Sequence, residues 1–228
     1  MDLHTGRDLP DTGCCALSGY GLVEETAVRE VFILLDCCFA GGAGGVPQLG
    51  SSAAVLKAGV TIVAASRADQ TAAETPSGRG AFSTYLCGAL DGGAADVLGE
   101  VSLAGVYAYL SESFGPWDQR PTFKANVDRL HELRLCQPAV PLLELRRLTT
   151  LFATTASEFA LDPSFEPDAE PHDADHEAVF AILQRCRAAK LVEPVGAEHM
   201  YFAAMENKAC VLTPLGRHYW QLARLGRL

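Results

Sequence analysis

Positive charge is scarce in this chain, with 18 Lys+Arg against 28 Asp+Glu and a formal net charge of −10. A deficit of that size argues against a surface drawn as a whole to nucleic acid or to an anionic membrane. Long apolar runs are missing too. No stretch approaches the roughly 18 apolar residues of a membrane span, and the opening Met-Asp-Leu-His-Thr-Gly-Arg-Asp has no basic region followed by an apolar one. A cytoplasmic protein without membrane contact is the expectation. Cysteine is not rare, at eight residues, but none stands in a CxxC pair. Two adjacent pairs (Cys14-Cys15, Cys37-Cys38) and four scattered singles suit neither a metal knuckle nor a small disulfide scaffold. Reduced thiols, no metal and no cofactor follow. What is present in quantity is apolar residue, 49% hydrophobic against 20% charged over 228 residues. That is enough for one domain with a substantial core and a smaller second one.

Charge divides unevenly along the chain. Residues 1–136 carry 9 Lys+Arg against 16 acids, and residues 157–175 carry 7 acids and no base. Residues 176–228 reverse the sign, with 7 Lys+Arg against 4 acids. The acidic stretch holds Pro163, Pro167 and Pro171 and reads as a solvated linker or long loop. His172 and His176 at its end have a spacing that could hold a metal, but solvated histidines are the simpler reading. A boundary near 137/138 follows, with one domain over 1–137 and a second over 138–228.

In the first domain strand and helix signals alternate. Glu24–Glu30 fits a helical turn, Val31–Leu35 a buried strand, Ser52–Lys57 a short helix and Val60–Ala65 a second buried strand. Phe82, Tyr85, Leu86, Ala89 and Leu90 share one helical face that Gly92-Gly93 ends. Ser102 caps a further helix with Leu103, Val106, Tyr107 and Leu110 on its apolar side, and Thr122–Val127 follows Pro121 as an edge strand. Such alternation predicts an α/β fold with parallel βαβ units, a three-layer sandwich around a mostly parallel sheet.

The tail has a different pattern. Pro141–Phe159 can be helical, and Val179, Ile182, Leu183 and Cys186 line one side of a helix capped by Asp175. Met200–Ala204 and Ala209–Leu212 flank Met205-Glu-Asn-Lys208 as a hairpin, and Thr213-Pro214 caps a last helix through Leu225. Helix, hairpin and helix, ending in Leu212-Thr-Pro-Leu-Gly-Arg-His-Tyr-Trp220, resemble the end of a winged-helix domain, a small α+β module. The polar face of the helix before the hairpin is Glu177, Gln184, Arg185, Arg187 and Lys190, positive only toward its end. A protein partner is therefore expected for this module rather than nucleic acid.

The most specific signal is Leu35-Asp-Cys-Cys-Phe-Ala-Gly-Gly42, running straight out of the apolar block 31–35. A buried strand that ends in Asp-x-Cys and opens into glycines delivers a thiol to an exposed turn, at the sheet edge where α/β proteins place their chemistry. A strand-end cysteine also has a plain packing role available to it. The octet is followed by Val60-Thr-Ile-Val-Ala-Ala-Ser-Arg-Ala-Asp-Gln-Thr-Ala-Ala-Glu74, by Gly80-Ala-Phe-Ser-Thr-Tyr-Leu-Cys-Gly-Ala-Leu90 and by Gln119-Arg-Pro121. In order and spacing these blocks resemble the caspase-like cysteine peptidases (caspases, metacaspases, paracaspases and bacterial relatives) over roughly residues 20–128.

The resemblance implies a cysteine-type endopeptidase acting on a protein substrate. Cys38 matches the nucleophile and its backbone N–H an oxyanion donor, while Cys37 would face the core. Asp36 and Glu74, with Asp69 second to Glu74, match the acids of the primary specificity pocket, which implies cleavage after Arg or Lys. The family's histidine belongs to an earlier Gly-His-Gly or Ser-His-Gly turn. Only 37 residues precede Cys38 here, and His4 is the sole histidine among them; His131, His172, His176, His199 and His218 all follow. The chain thus reads as a caspase-like domain without its first third: a fragment, an enzyme using His4 in another geometry, or a pseudo-peptidase. The alternative function is a catalytically inactive scaffold or adaptor working through the tail module.

Overall fold

A computed structural model describes residues 28–36, 56–66, 80–115, 120–128 and 132–228. The chain divides into two compact units: residues up to Ala95 with Val101–Leu135, and Asp96–Glu100 with Cys136–Leu228. The Glu24–Glu30 turn and the Ser52–Lys57 helix expected from sequence fall mostly outside the described residues.

The first unit is built on a three-stranded sheet of β1 (Val31–Leu35), β2 (Val60–Ala64) and β4 (Thr122–Asn126), with β2 in the middle. β1 and β2 run parallel, from Val31 opposite Val60 to Leu35 opposite Ala64. Every residue of β2 is buried, as its continuous β-branched run requires of a central strand covered on both faces. Leu56, Val60 and Ile62 form a buried cluster against which Ile33 and Leu35 pack. Just before β2 the chain passes so close to the residues leading into β1 that a Cβ on Gly59 (φ +86) would fall 1.8 Å from the Arg29 carbonyl oxygen. Only glycine fits that approach. β4 is the expected edge strand, but it pairs with β2 antiparallel. Among the described residues the sheet is therefore mixed, not mostly parallel.

Helix α1 (Ala81–Gly88) runs into a wider turn over Ala89–Gly93 that Gly92 (φ +117) closes, as the Gly92-Gly93 pair predicts. β3 (Glu100–Ser102) pairs with β5 (Glu132–Leu135). α2 (Leu103–Phe114) follows, with the Ser102 hydroxyl accepting from the Gly105 N–H and Leu103, Val106, Leu110 and Phe114 buried on one side. Tyr85 of α1 meets Phe114 edge to face at 5.0 Å, and Tyr107 of α2 lies on Phe123 of β4 at 4.9 Å.

The second unit contains α3 (Leu142–Leu151), β6 (Glu158–Ala160), α4 (Ala174–Ala188), β7 (Val192–Val195), α5 (Met200–Met205), β8 (Ala209–Leu212) and α6 (Pro214–Arg224). Its antiparallel sheet has the order β6-β8-β7, with Cys210 facing both Phe159 and Pro194. Pro194 is admitted because β7 is an edge. One core joins Leu145, Leu148, Phe152, Phe165, Leu183, Leu191 and Leu212, and includes Val97. Thr213 caps α6 as its Thr-Pro start predicts, and Trp220 Nε1 donates to the Phe152 carbonyl at 2.9 Å.

Several sequence expectations for this unit are corrected. Met200–Ala204 is not a strand of a hairpin but lies in the helix α5, with Met200, Ala203 and Ala204 inward at i, i+3 and i+4; β7 is the partner of β8 instead. A short apolar run fits either period, and the turn residue Asn207 (φ +53) ends a helix, with Lys208 N–H bonded to the Ala203 carbonyl. Pro141–Phe159 is not one helix, since α3 stops at Leu151 and Phe159 joins the sheet. The cap of α4 is Asp173, which accepts from the Asp175 and His176 N–H groups, not Asp175. Of the solvated linker or long loop expected over 157–175, the part around Leu161, Ser164, Phe165 and Glu166 is not solvated but buried, because two large apolar side chains among the acids anchor it. No helix among the described residues is long and apolar enough to cross a membrane.

Candidate active site at the carboxyl edge of the sheet

Parallel pairing brings the carboxyl ends of β1 and β2 to one edge, where the Ala65 N–H donates to the Leu35 carbonyl at 2.8 Å. The next residue of β1's chain is Asp36, with an exposed side chain. Its Oδ2 accepts a 2.5 Å hydrogen bond from Ser83 Oγ, in the first turn of α1. That helix has no acid in its first turn and no side-chain cap of its own. Asp36 thus brings negative charge from another element to the end of a helix where unpaired N–H groups favour it.

Of the residues expected to form the nucleophile and the specificity pocket, Asp36 is the one the structure describes in place. Cys38, Cys37, Glu74, Asp69, His4 and His131 lie outside the described residues. Ser83 and Gly80 were not singled out as site residues, although both stand in a block that carries the family resemblance. The available signal was a small residue followed by Ser at the first turn of an amphipathic helix, which reads equally as ordinary helix-start chemistry.

Elsewhere in the first unit a cavity of about 350 Å³ is lined by Tyr107, Ser111, Glu112, Phe114, Arg120 and Pro121, among others. Asp36 and Ser83 are not in its lining.

In the second unit the histidines of the acidic segment go different ways. His172 faces Glu170 and Glu177 at 3.5 and 3.3 Å. His176 Nδ1 lies 2.6 Å from Ser164 Oγ, which donates to Asp162 Oδ1 at 2.5 Å, and the His176 ring stacks on Phe165 at 4.2 Å. Ser, His and Asp meet here without the geometry of a nucleophile. Here the serine hydroxyl donates to the carboxylate, whereas in a triad the carboxylate orients the imidazole and the imidazole accepts from the hydroxyl. The hydrogen bonds from Ser164, side chain and then backbone, hold the Asp162 carboxyl below the usual range. Burial, reinforced by Asp168, raises that of Glu166. The cluster ties the start of α4 to the turn over Pro163–Phe165. Among the described cysteines, Cys87 is exposed while Cys186 and Cys210 are buried, and burial pushes both buried thiols up to about 12.

No family model, curated protein or solved structure matches this chain.

Proposed function

We propose that the chain is a caspase-like cysteine endopeptidase, or a fragment of one, that cuts proteins after Arg or Lys, with Cys38 as nucleophile and Asp36 and Glu74 as the acids of the specificity pocket. The observation that carries this reading is the placement of Asp36: an exposed carboxylate at the carboxyl edge of a parallel strand pair, held by Ser83, two residues before Cys38. An accessible carboxylate there can receive a guanidinium or ammonium. The adjacent thiolate would add to the scissile carbonyl, and its backbone N–H would bind the oxyanion. A histidine would return a proton to the leaving amine as the C–N bond breaks. Water would then hydrolyse the thioester. His4 is the one histidine upstream of Cys38 in this sequence.

The finer fold reading belongs to the same proposal. The parallel β1–β2 pair and the helices α1 and α2 fit part of a caspase-like sandwich. The order β6-β8-β7, with α4 before β7 and α6 after β8, fits a winged-helix-like module, with α5 where a plain hairpin was expected. A protein partner suits this module better than DNA. Of the basic residues on α4, Arg185 is held bidentately by Glu144 at 2.6 and 2.7 Å, which removes one cation from phosphate binding.

The test is brief alkylation of the folded chain with iodoacetamide, followed by peptide mapping. Cys38 should react faster than the other seven cysteines, because an activated exposed thiol reacts as thiolate. A peptidyl ketone ending in Arg should modify it and one ending in Asp should not. Labelling of Cys38 no faster than Cys37, or a preference for Asp, overturns the reading in favour of an inactive scaffold.

A further inference from the structure

The first turn of α1 does more to Asp36 than a single hydrogen bond requires. Gly80, the residue before the helix, has φ −57 and ψ 129, a conformation open to any residue. Glycine is therefore not demanded by the backbone. What an added side chain would meet is Asp36 itself: a Cβ at position 80 would lie 2.5 Å from Asp36 Oδ2 and 3.2 Å from its Cγ, so the carboxylate keeps this position only while no side chain stands there. The same oxygen is the one that Ser83 Oγ bonds at 2.5 Å. A missing side chain on one side and a hydroxyl donor on the other favour the position in which the carboxylate lies.

We propose that Gly80 and Ser83 together form a seat that aims the Asp36 carboxylate at a cationic group of the substrate, which makes Ser83 a positioning residue for specificity. The proposal rests on Asp36 being the pocket acid, as above. An ionised carboxylate offers about four lone-pair sites. Ser83 uses one, and a guanidinium or amidinium needs two. Holding the short Asp36 side chain in one rotamer removes the ordering cost that would otherwise fall on the bound cation. A serine merely closing a helix turn would not require an empty Cβ position opposite it.

The experiment uses the full chain and benzamidine as the cationic probe, with neutral benzamide as its uncharged counterpart. Binding is measured by titration calorimetry or ligand-observed NMR, and the Asp36 carboxyl carbon is followed by ¹³C NMR without ligand. Ser83→Ala should weaken benzamidine about ten-fold, in line with losing a hydrogen bond to a charged group. It should leave benzamide unchanged and shift the free protein's Asp36 signal. Ser83→Thr, which keeps the hydroxyl, should restore both within about three-fold on the same scale. Gly80→Ala should act like Ser83→Ala by displacing the carboxylate, with the unfolding midpoint of each variant as a check on the fold. Asp36→Asn separates the two readings. If Asp36→Asn weakens benzamidine while Ser83→Ala and Gly80→Ala do not, the seat is overturned and the pocket stands. If wild type and Asp36→Asn bind benzamidine alike, or neither binds, the pocket reading fails, and the ligand-free carboxyl signal alone decides the seat. A signal unmoved by Ser83→Ala overturns it.

Discussion

Cys186 and Cys210 illustrate how little a cysteine's presence says about its reactivity. Both are buried and unpaired in the core of the second unit, and burial raises each thiol to about 12, with Glu144 adding to the effect on Cys186 and Cys186 to that on Cys210. At pH 8 neither has appreciable thiolate, so both should resist iodoacetamide until the unit is unfolded and then react as ordinary thiols. The stability consequence has a definite sign. A group whose folded pKa is raised binds its proton more tightly in the native state, so its contribution is whole below the unfolded value near 9 and is lost as pH rises toward 12. Burial raises the Tyr219 hydroxyl as well and acts in the same sense. The unfolding midpoint should therefore fall between pH 9 and 12, and replacing both cysteines by Ala should flatten that fall while lowering stability at neutral pH by leaving small cavities. Thermal melts at pH 8, 10 and 11 check this. For site residues the lesson is parallel. The place of Asp36 at a strand end was legible because the apolar block 31–35 runs straight into it, whereas its contact with Ser83 was not, because nothing in a helix-start serine tells which distant acid it will meet.

At the scale of elements, helix caps give the sharpest test. Asp173 accepts from two N–H groups at the start of α4, while Asp175 lies one turn-step inside it. Asp173→Ala should destabilise the second unit by about 1 kcal/mol, the usual effect of losing a side-chain cap. Asp175→Ala should cost only the few tenths of a kcal/mol of a charge near a helix start. Chemical denaturation of both variants distinguishes them, and a larger effect from Asp175 would contradict the assignment. The ion pair of Arg185 with Glu144 is partly exposed at 45% and 22%, so Arg185→Ala should change stability by no more than about 1 kcal/mol. Ser102 and Thr213 were readable as caps because each precedes a clean apolar periodicity. The cap of α4 lies two residues before the expected one, since Asp173 and Asp175 are chemically equal and only the hydrogen-bond geometry chooses between them. The run Met200–Ala204 was ambiguous for a related reason: five apolar residues satisfy either period, and the competition for the edge of β8 was won by Val192–Val195.

At the scale of the whole molecule, the boundary between units is not one cut in the chain. The five residues Asp96–Glu100 belong with the second unit, where Val97 is buried in the core and Leu98 packs against it. The Gly99 carbonyl accepts from the Cys136 N–H at 2.7 Å. A fragment beginning at residue 138 lacks these contacts, so it should be less stable than the same unit in the full chain by roughly 1.5–3 kcal/mol, the value of burying one Val-sized side chain. Val97→Ala in the full chain should reproduce much of that loss. Hydrogen exchange at the amides of Leu148 and Leu183 reports it, and equal protection in fragment and full chain would show that the segment adds nothing.

The sequence by itself determined both strands of the parallel pair and the burial of β2, though not the partial exposure of β1, together with the amphipathic helices α1, α2, α4 and α6 and the change of character between the two halves. Each depends on local periodicity or on neighbours in the chain, which is information a sequence carries directly. Tertiary structure alone decided the antiparallel return of β4, the burial of Phe165 within an acidic segment, the capture of residues 96–100 by the second unit, and the meeting of Asp36 with Gly80 and Ser83. These depend on pairs of residues distant along the chain, whose closeness is set by which surfaces the whole fold must bury together, and no local pattern encodes that choice.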